Sequence, residues 1–425
     1  MTDRKLSRRP KPEENTKNRQ LTTGLVALKY RDMRFLIVGK IFGWVSLHMV
    51  LVAIAYQVYD VTGDVKNLAY IGLAVFAPAF GFALVTGYIA DLFDRKSVIV
   101  VCYCIISISC LMFFWWSLGE KEAIWPVFLI LGLFGTGRAF YQPATNSLVP
   151  NLVPASIFPN AVAWHTSTNK IAQMVGPALG GITYLISPEV VYLAAAAGML
   201  IGALLTSLIK TKTKREDREP TSWAALLSGL KYVYQKKIIL GAITLDLFVV
   251  LLGGVTALLP VFAKDILDVG ALGAGLMRSA IAIGSLATGL ALTQVNMKRS
   301  VGKILYISVL VFGAATILFG LSTVFWLSMV AMVIVGIGDM VSVYIRITLV
   351  QIATPDEMRG RVSAVNSVFT GASNEIGEFR AGMMANAIGA IPAVLFGGIG
   401  CFFIAGLCWA AFPELGRVQR IDREL

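Results

Sequence analysis

Gly87-Tyr-Ile-Ala-Asp91-Leu-Phe-Asp94-Arg95-Lys96 is a polar, charged turn set between two long apolar runs, roughly residues 68–90 and 97–117. Gly87 lies among Leu84, Val85 and Ile89, where a residue without a side chain lets two membrane helices approach closely. Asp91 follows one helical turn later, and Arg95 and Lys96 are expected to end the run in water. The plainest alternative for the stretch is a positively charged loop between two membrane spans whose acid merely caps a helix.

The chain on both sides has the same character. Its 425 residues are 56% hydrophobic and only 15% charged, and the mean hydropathy is +0.73. That balance leaves too little polar surface to cover a soluble domain, so the chain is an integral membrane protein. The net charge of +12 does not point to nucleic acid, because the Lys and Arg residues sit between apolar runs on alternating sides. Cys102, Cys104, Cys110, Cys401 and Cys408 all lie within apolar runs. They have no His or Cys partner at zinc-ligand spacing and read as lipid-facing or packing residues rather than ligands or disulfides.

Twelve apolar stretches follow a basic tail, at about 34–58, 68–91, 96–117, 124–148, 160–186, 189–209, 238–263, 271–295, 302–321, 324–351, 362–387 and 391–412. Each is long enough to cross some 30 Å of hydrocarbon. The expected organisation is a tail (1–33), a six-helix bundle (34–209), a linker (210–237), a second bundle (238–412) and a short tail (413–425). Within the linker, Trp223, Leu226, Leu227, Leu230 and Val233 make one apolar face, which predicts a helix lying on the membrane surface. With both termini inside, inner segments hold 28 of the 37 Lys and Arg residues and outer loops hold 3, so both termini are expected in the cytoplasm. An internal repeat appears at an offset of about 201. Pro154 falls on Pro355, Gly176 on Gly377 and Gly181 on Gly382, the mark of a duplicated transporter with its site between the halves.

The opening stretch resembles the loop between helices 2 and 3 of the major facilitator superfamily, G-x-x-x-D-x-x-x-R-[KR]. The resemblance extends through Tyr56-Gln57-Val58-Tyr59-Asp60-Val61-Thr62-Gly63, Ala139-Phe140-Tyr141-Gln142-Pro143-Ala144 and Pro159-Asn160-Ala161-Val162-Ala163. Those segments are similar to the bacterial efflux branch that includes enterobactin-exporter-like proteins. The resemblance implies an all-α membrane protein of twelve helices in two pseudo-symmetric six-helix bundles. It makes Gly87, Asp91 and Arg95 part of a conformational latch. Gly176-Pro177-x-x-Gly180-Gly181 resembles the helix 5 motif of proton-driven antiporters, with Gly176, Pro177 and Gly181 as gating positions, and favours export. The Arg that this pattern places on helix 4 would fall on Leu131; Arg138 stands seven residues later. The charged segment Thr354–Arg361 resembles the family's loop before helix 11, where a gate role and a plain helix cap are equal readings.

Ten charges stand inside the spans. Lys40, Arg138, Lys170, Arg278, Arg346 and Arg380 are cationic, and Asp246, Asp339, Glu375 and Glu378 are acidic. Facing lipid, each would cost roughly 2.5–3.5 kcal/mol, on the order of 30 kcal/mol together, so they are expected to face one another or a wet cavity. None falls on spans 3, 6, 9 or 12, which face lipid in the resembled fold. Lys40, Arg138 and Lys170 are expected to attract an anionic solute, with His48, Tyr141, Gln142, Arg278, Arg346 and Arg380 as further contacts. Asp246, Asp339, Glu375 and Glu378 are the candidates to carry a coupling proton. Glu375 and Glu378 repel each other at a spacing of three, which favours one of them holding it. Asp339 and Arg346, seven apart, are a candidate pair, the alternative for all ten being structural ion pairs. His165, Trp44, Asn146, Asn169 and Gln173 are further lining candidates, with packing an equal explanation.

These readings predict a monomeric secondary transporter of the bacterial inner membrane. It would use no cofactor, draw on the proton gradient, and export a small, anionic organic solute such as a siderophore. The rivals are multidrug efflux, and uptake of an iron–siderophore or organic anion. No nucleotide loop, metal-ligand cluster or nucleophile–base spacing suggests an enzyme, and no partner beyond solute and bilayer, nucleic acid included, is implied.

Overall fold

The computed structural model describes residues 24–82, 86, 93–119, 123–211, 223–294 and 300–419, apart from the side chains of 223–226 and 356. Gly87 and Asp91 lie outside the described residues. The twelve main helices are α1 (Arg31–Thr62), α2 (Val65–Gly81), α3 (Arg95–Leu118), α4 (Trp125–Leu148), α5 (Phe158–Tyr184) and α6 (Pro188–Ser207), then α7 (Lys237–Gly253), α8 (Gly270–Gln294), α9 (Val301–Leu321), α10 (Phe325–Ile352), α11 (Asp356–Ile388) and α12 (Ala390–Ala411). A linker helix, Trp223–Gln235, separates the two sets of six.

Among the described residues, eight helical stretches are long and apolar enough to span a membrane by composition alone. Helices α4, α5 and α11 are long enough but less apolar, because they carry the polar side chains that face inward. The chain is a multi-pass membrane protein.

Packing repeats between the halves. Helix α1 packs on α5 and α6, α3 on α4 and α6, and α2 on α4; in the second half α7 packs on α11 and α12, α9 on α10 and α12, and α8 on α10. The repeat seen in the sequence carries the same contacts. Gly176 abuts Val45 of α1, and Gly377 abuts Val250 of α7. Gly181 abuts Ala271 and Leu272 of α8, and Gly382 abuts Ala69 of α2. The α5–α8 and α2–α11 contacts join the halves.

Those joints lie at the end of the bundle away from the linker, the far face. A side chain on Gly275 would collide with the Pro177 carbonyl, and one on Gly181 would stand 2.8 Å from that of Ala271. Toward the linker face the halves part: Val162, Ala163, Thr166 and Ser167 of α5 and Ser363, Ser367 and Val368 of α11 are exposed. The chamber therefore opens toward the linker.

Polar contacts bolt the far face. Gly63 ends α1 in the left-handed region at φ 62°, its N–H donating to the Tyr59 carbonyl at 2.8 Å, a helix stop that favours glycine. Just before it, Asp60 meets Lys264 at 2.6 Å, and Tyr59 donates its hydroxyl to Asp265. A π-helical turn, Phe262–Ile266, carries both partners. The Lys264–Asp60 pair is half-exposed, so it contributes no more than about 1 kcal/mol. Lys264→Ala is accordingly expected to raise the far-open population about two- to fivefold, measured as faster labelling of a cysteine placed at Ala271.

Several boundaries differ from the sequence reading. The seventh span is broken: α7 stops at Gly253, and short helical turns resume from Thr256. Asp356–Arg361, read as a loop, forms the first turns of α11; Pro355 halts the preceding chain, and acidic residues suit a helix N-terminus. Arg95 and Lys96 do not end in water. Arg95 is 6% exposed and donates to the Ser147 carbonyl at 2.9 Å, while Lys96 donates to that of Ile209 at 3.1 Å. Ser147 is in the last turn of α4, whose free carbonyls attract cations, and Ile209 lies two residues past the end of α6. Asp94 caps α3 through Ser97. The linker helix leans on protein as well as facing outward: Val233 is buried, Gly229 lies against the Arg361 carbonyl, and Tyr232 donates to that of Ala353.

Candidate functional site

A cavity of about 380 Å³ lies between the halves. Its position follows from the packing: small residues pull α5 against α8 and α2 against α11 at the far face, and the linker-side halves of these helices diverge. Helices α4 and α5 contribute Arg138 and Lys170; α8, α10 and α11 contribute Arg278, Asp339, Glu375 and Glu378; His48 comes from α1. Seven of the thirteen candidate solute and proton residues thus share one chamber.

Glu375 accepts an ion pair from Arg138 across the halves at 3.6 Å. Glu378 accepts the Thr256 hydroxyl at 2.5 Å. Gly72 of α2 makes room for both carboxylates: a Cβ there would stand 3.7 Å from Glu378 Oε2 and 3.8 Å from Glu375 Oε2. Lys170, Arg278 and Asp339 have no ion-pair partner within 4 Å among the described residues. The His48 Nε2 is buried without a hydrogen-bond partner. The wall therefore carries three cations and three carboxylates, of which only Arg138 and Glu375 form an ion pair; Lys170, Arg278, Asp339 and Glu378 have none among the described residues.

Gln173 lines the chamber too; the remaining six solute and proton candidates stand outside it. Lys40 is fully buried against His165 and does not share a void with Arg138 and Lys170; Arg278 takes the third cationic place. Arg346 pairs with Asp246 at 2.8 Å and not with Asp339. Seven residues along one helix separate groups by about 10 Å, whereas Asp246 faces Arg346 from α7. Asn366 and Thr370 accept further hydrogen bonds from Arg346, each at 3.1 Å. Arg380 donates to the carbonyls of Leu251 at 2.8 Å and Leu252 at 2.5 Å. A helix that ends inside a membrane leaves its last carbonyls unsatisfied, and Arg380 satisfies two of them at the break after Gly253. Tyr141 is buried, with its hydroxyl 2.8 Å from that of Tyr103, and Gln142 donates to Asn146.

The antiporter-like motif divides between two faces of α5. Gly176 and Gly180 abut α1, whereas Pro177 and Gly181 abut α8. Thr256, Ser285 and Asn374 also line the cavity and were not singled out in the sequence. Gly253-Gly254 was the available signal for Thr256, since paired glycines in a span mark a break whose loose backbone turns to a cavity.

The family model described as Major Facilitator Superfamily matches residues 36–378. The chain is 22% identical to Macrolide efflux protein A of Streptococcus pyogenes over 397 residues, covering 90% of this chain and 96% of that one. It is 26% identical to Enterobactin exporter EntS of Salmonella choleraesuis over 393 residues, covering 91% and 94%. Its fold superposes on a bacterial homolog of the human lysosomal transporter Spinster, crystallised inward-facing and occupied, with a TM-score of 0.71 at 15% identity over 91% of this chain and 98% of that one. With its duplicated six-helix packing and its match over most of its length, the chain belongs to the Major Facilitator Superfamily and is a transporter, not an enzyme.

Proposed function

We propose that this protein exports a small organic solute bearing acidic groups, siderophore-like in class, in exchange for protons. It works as a monomer in the bacterial inner membrane with both termini in the cytoplasm. The halves 34–209 and 238–412 rock about the cavity between them. The observation that carries this reading is that Lys170 and Arg278, one from each half, line that cavity with no carboxylate in ion-pair range among the described residues. Cations left unpaired inside a membrane are costly unless a ligand or water meets them, and Arg suits bidentate oxygen donors. Glu375 and Glu378, crowded on one face of α11, are the groups to exchange a proton as the halves move. The chamber opening toward the linker is the solute-loading state of an exporter whose linker is cytoplasmic.

The test uses vesicles carrying the reconstituted protein, a pH gradient, and a tricatecholate probe. Lys170→Gln and Arg278→Gln are each expected to lower gradient-driven flux at least about tenfold, the loss of one charge-assisted hydrogen bond. Glu375→Gln with Glu378→Gln is expected to leave probe binding in place and abolish acceleration by the gradient. Full flux with both cation variants would end the anion-site reading. Flux of an erythromycin-type macrolide with none of the tricatecholate would favour drug efflux, the activity named for one relative.

A further inference from the structure

A second ionisable cluster lies inside the first half, apart from the cavity. Lys40 is 0% exposed, and no carboxylate lies within ion-pair distance of it among the described residues. Its Nζ lies 3.0 Å from the His165 carbonyl oxygen and 3.0 Å from the His165 ring nitrogens. The ring continues outward, with His165 Nε2 3.2 Å from Asn146 Oδ1. Gln142 donates to the same oxygen at 3.3 Å, and Asn146 is exposed at the linker-side end of α4.

Hydrogen-bond counting makes this arrangement unusual for a lysine held only as a structural cation. An ammonium offers three N–H groups, and the neutral amine offers two plus a lone pair. Lys40 meets two acceptors, the carbonyl and one ring nitrogen, while the third direction faces Trp44, whose ring centroid is 6.0 Å away. With Nε2–H donating to Asn146, Nδ1 is left to accept from Lys40. The cluster therefore satisfies the amine in either charge state without a counter-ion. The ionisable groups that face this site are His165 from α5, Tyr103 from α3 (its hydroxyl 3.4 Å from the Gly39 carbonyl) and Tyr141 from α4. Helix α6 contributes Gly202, Leu205 and Thr206 beside Gly39, none of which titrates. Arg138 and Lys170, on α4 and α5, turn to the cavity instead.

We propose that Lys40 and His165 form a proton-binding site within the first half, loaded from the linker face through Asn146, and distinct from the carboxylates of the cavity. On unloading, Lys40 passes one proton from Nζ to His165 Nδ1, and the imidazolium releases its Nε2 proton to a water at Asn146. This leaves a neutral amine whose lone pair accepts the new Nδ1–H. Loading is the reverse, so one proton enters or leaves, the ring proton shifts between Nε2 and Nδ1, and the Nε2–Asn146 hydrogen bond is exchanged for one from water in the unloaded state. Because the site ties α1 to α5, and α5 carries the α8 joint, its charge state biases opening of the halves.

The experiment measures distances between nitroxides at positions 162 and 363, across the linker-side mouth, as a function of pH and without any transported solute. Its outcome is therefore separate from that of the solute reading. In the full-length variant Asp339→Asn, Glu375→Gln, Glu378→Gln, a pH-dependent change in the distance distribution is expected to remain. Adding Lys40→Met is expected to remove it, and Lys40→Arg serves the same purpose if the Met variant does not fold. His165→Gln, which keeps hydrogen bonds but cannot carry the proton, is expected to slow the change at least tenfold after a pH jump. A packing role alone would shift the distances equally at every pH. A pH profile unchanged by either Lys40 variant, or no pH dependence once the three carboxylates are neutral, would overturn the proposal.

Discussion

Gly275→Leu is expected to hold the far face open and to lower transport by about two orders of magnitude or more. The glycine has no room for even one carbon, because a Cβ would collide with the Pro177 carbonyl and lie 3.3 Å from the Gly181 Cα. The obstacle is backbone on backbone, so no side-chain rotation relieves it. Overpacking of this kind costs about 1–3 kcal/mol or more, and 2.7 kcal/mol is about a hundredfold shift in a two-state equilibrium. The clash exists only where α5 and α8 meet, so the far-open state is spared. A cysteine at Ala271 should then label rapidly from the far face, and the linker-side mouth should narrow. Unchanged labelling would mean that the α5–α8 contact is not the moving joint.

The second large effect concerns stability. Asp246 and Arg346 have side chains 7% and 3% exposed and meet at 2.8 Å. Asp246→Asn leaves the guanidinium buried without its counter-charge, which is expected to cost about 3–5 kcal/mol, read as a lower midpoint in thermal unfolding in detergent. Asn366 and Thr370 still accept from Arg346, so the loss belongs at the lower end. The double variant Asp246→Leu, Arg346→Met should recover most of it, since replacing both members of a buried pair by apolar residues is often neutral. If the double variant were as unstable as the single one, the pair would be holding something besides itself.

The two predictions draw on information of different origin. That Gly181 allows a close helix approach was legible in its lack of a side chain, but the sequence set α5 against its pseudo-symmetric partner α11, whereas the structure seats Gly181 on α8. Partnership between Asp246 and Arg346 was not legible. Position along the chain placed both at similar depth, but the seven-residue spacing on one helix favoured Asp339 as the partner of Arg346, and only the rotation of each helix about its axis set Asp246 there instead. The same gap misplaced Lys40, which belongs to the right half at the right depth but turns toward His165 instead of the cavity. Arg380 counted as a solute contact for the same reason. Its carbonyl partners exist only because α7 breaks after Gly253, and span-length hydropathy does not register a break inside an apolar run.

What the amino-acid order alone determined is therefore the part written in one dimension: twelve spans, a basic linker, a duplicated half and the depth of each buried charge. The hydrocarbon layer imposes these through run length and loop charge, which can be counted residue by residue. The tertiary structure decided which of the ten charges meet a shared chamber, which neutralise each other and which serve broken backbone. Those outcomes turn on helix rotation and on approaches between residues some 100–200 positions apart, such as Lys40 with His165 or Asp246 with Arg346. Glycine contacts set them by allowing backbones to touch at particular azimuths.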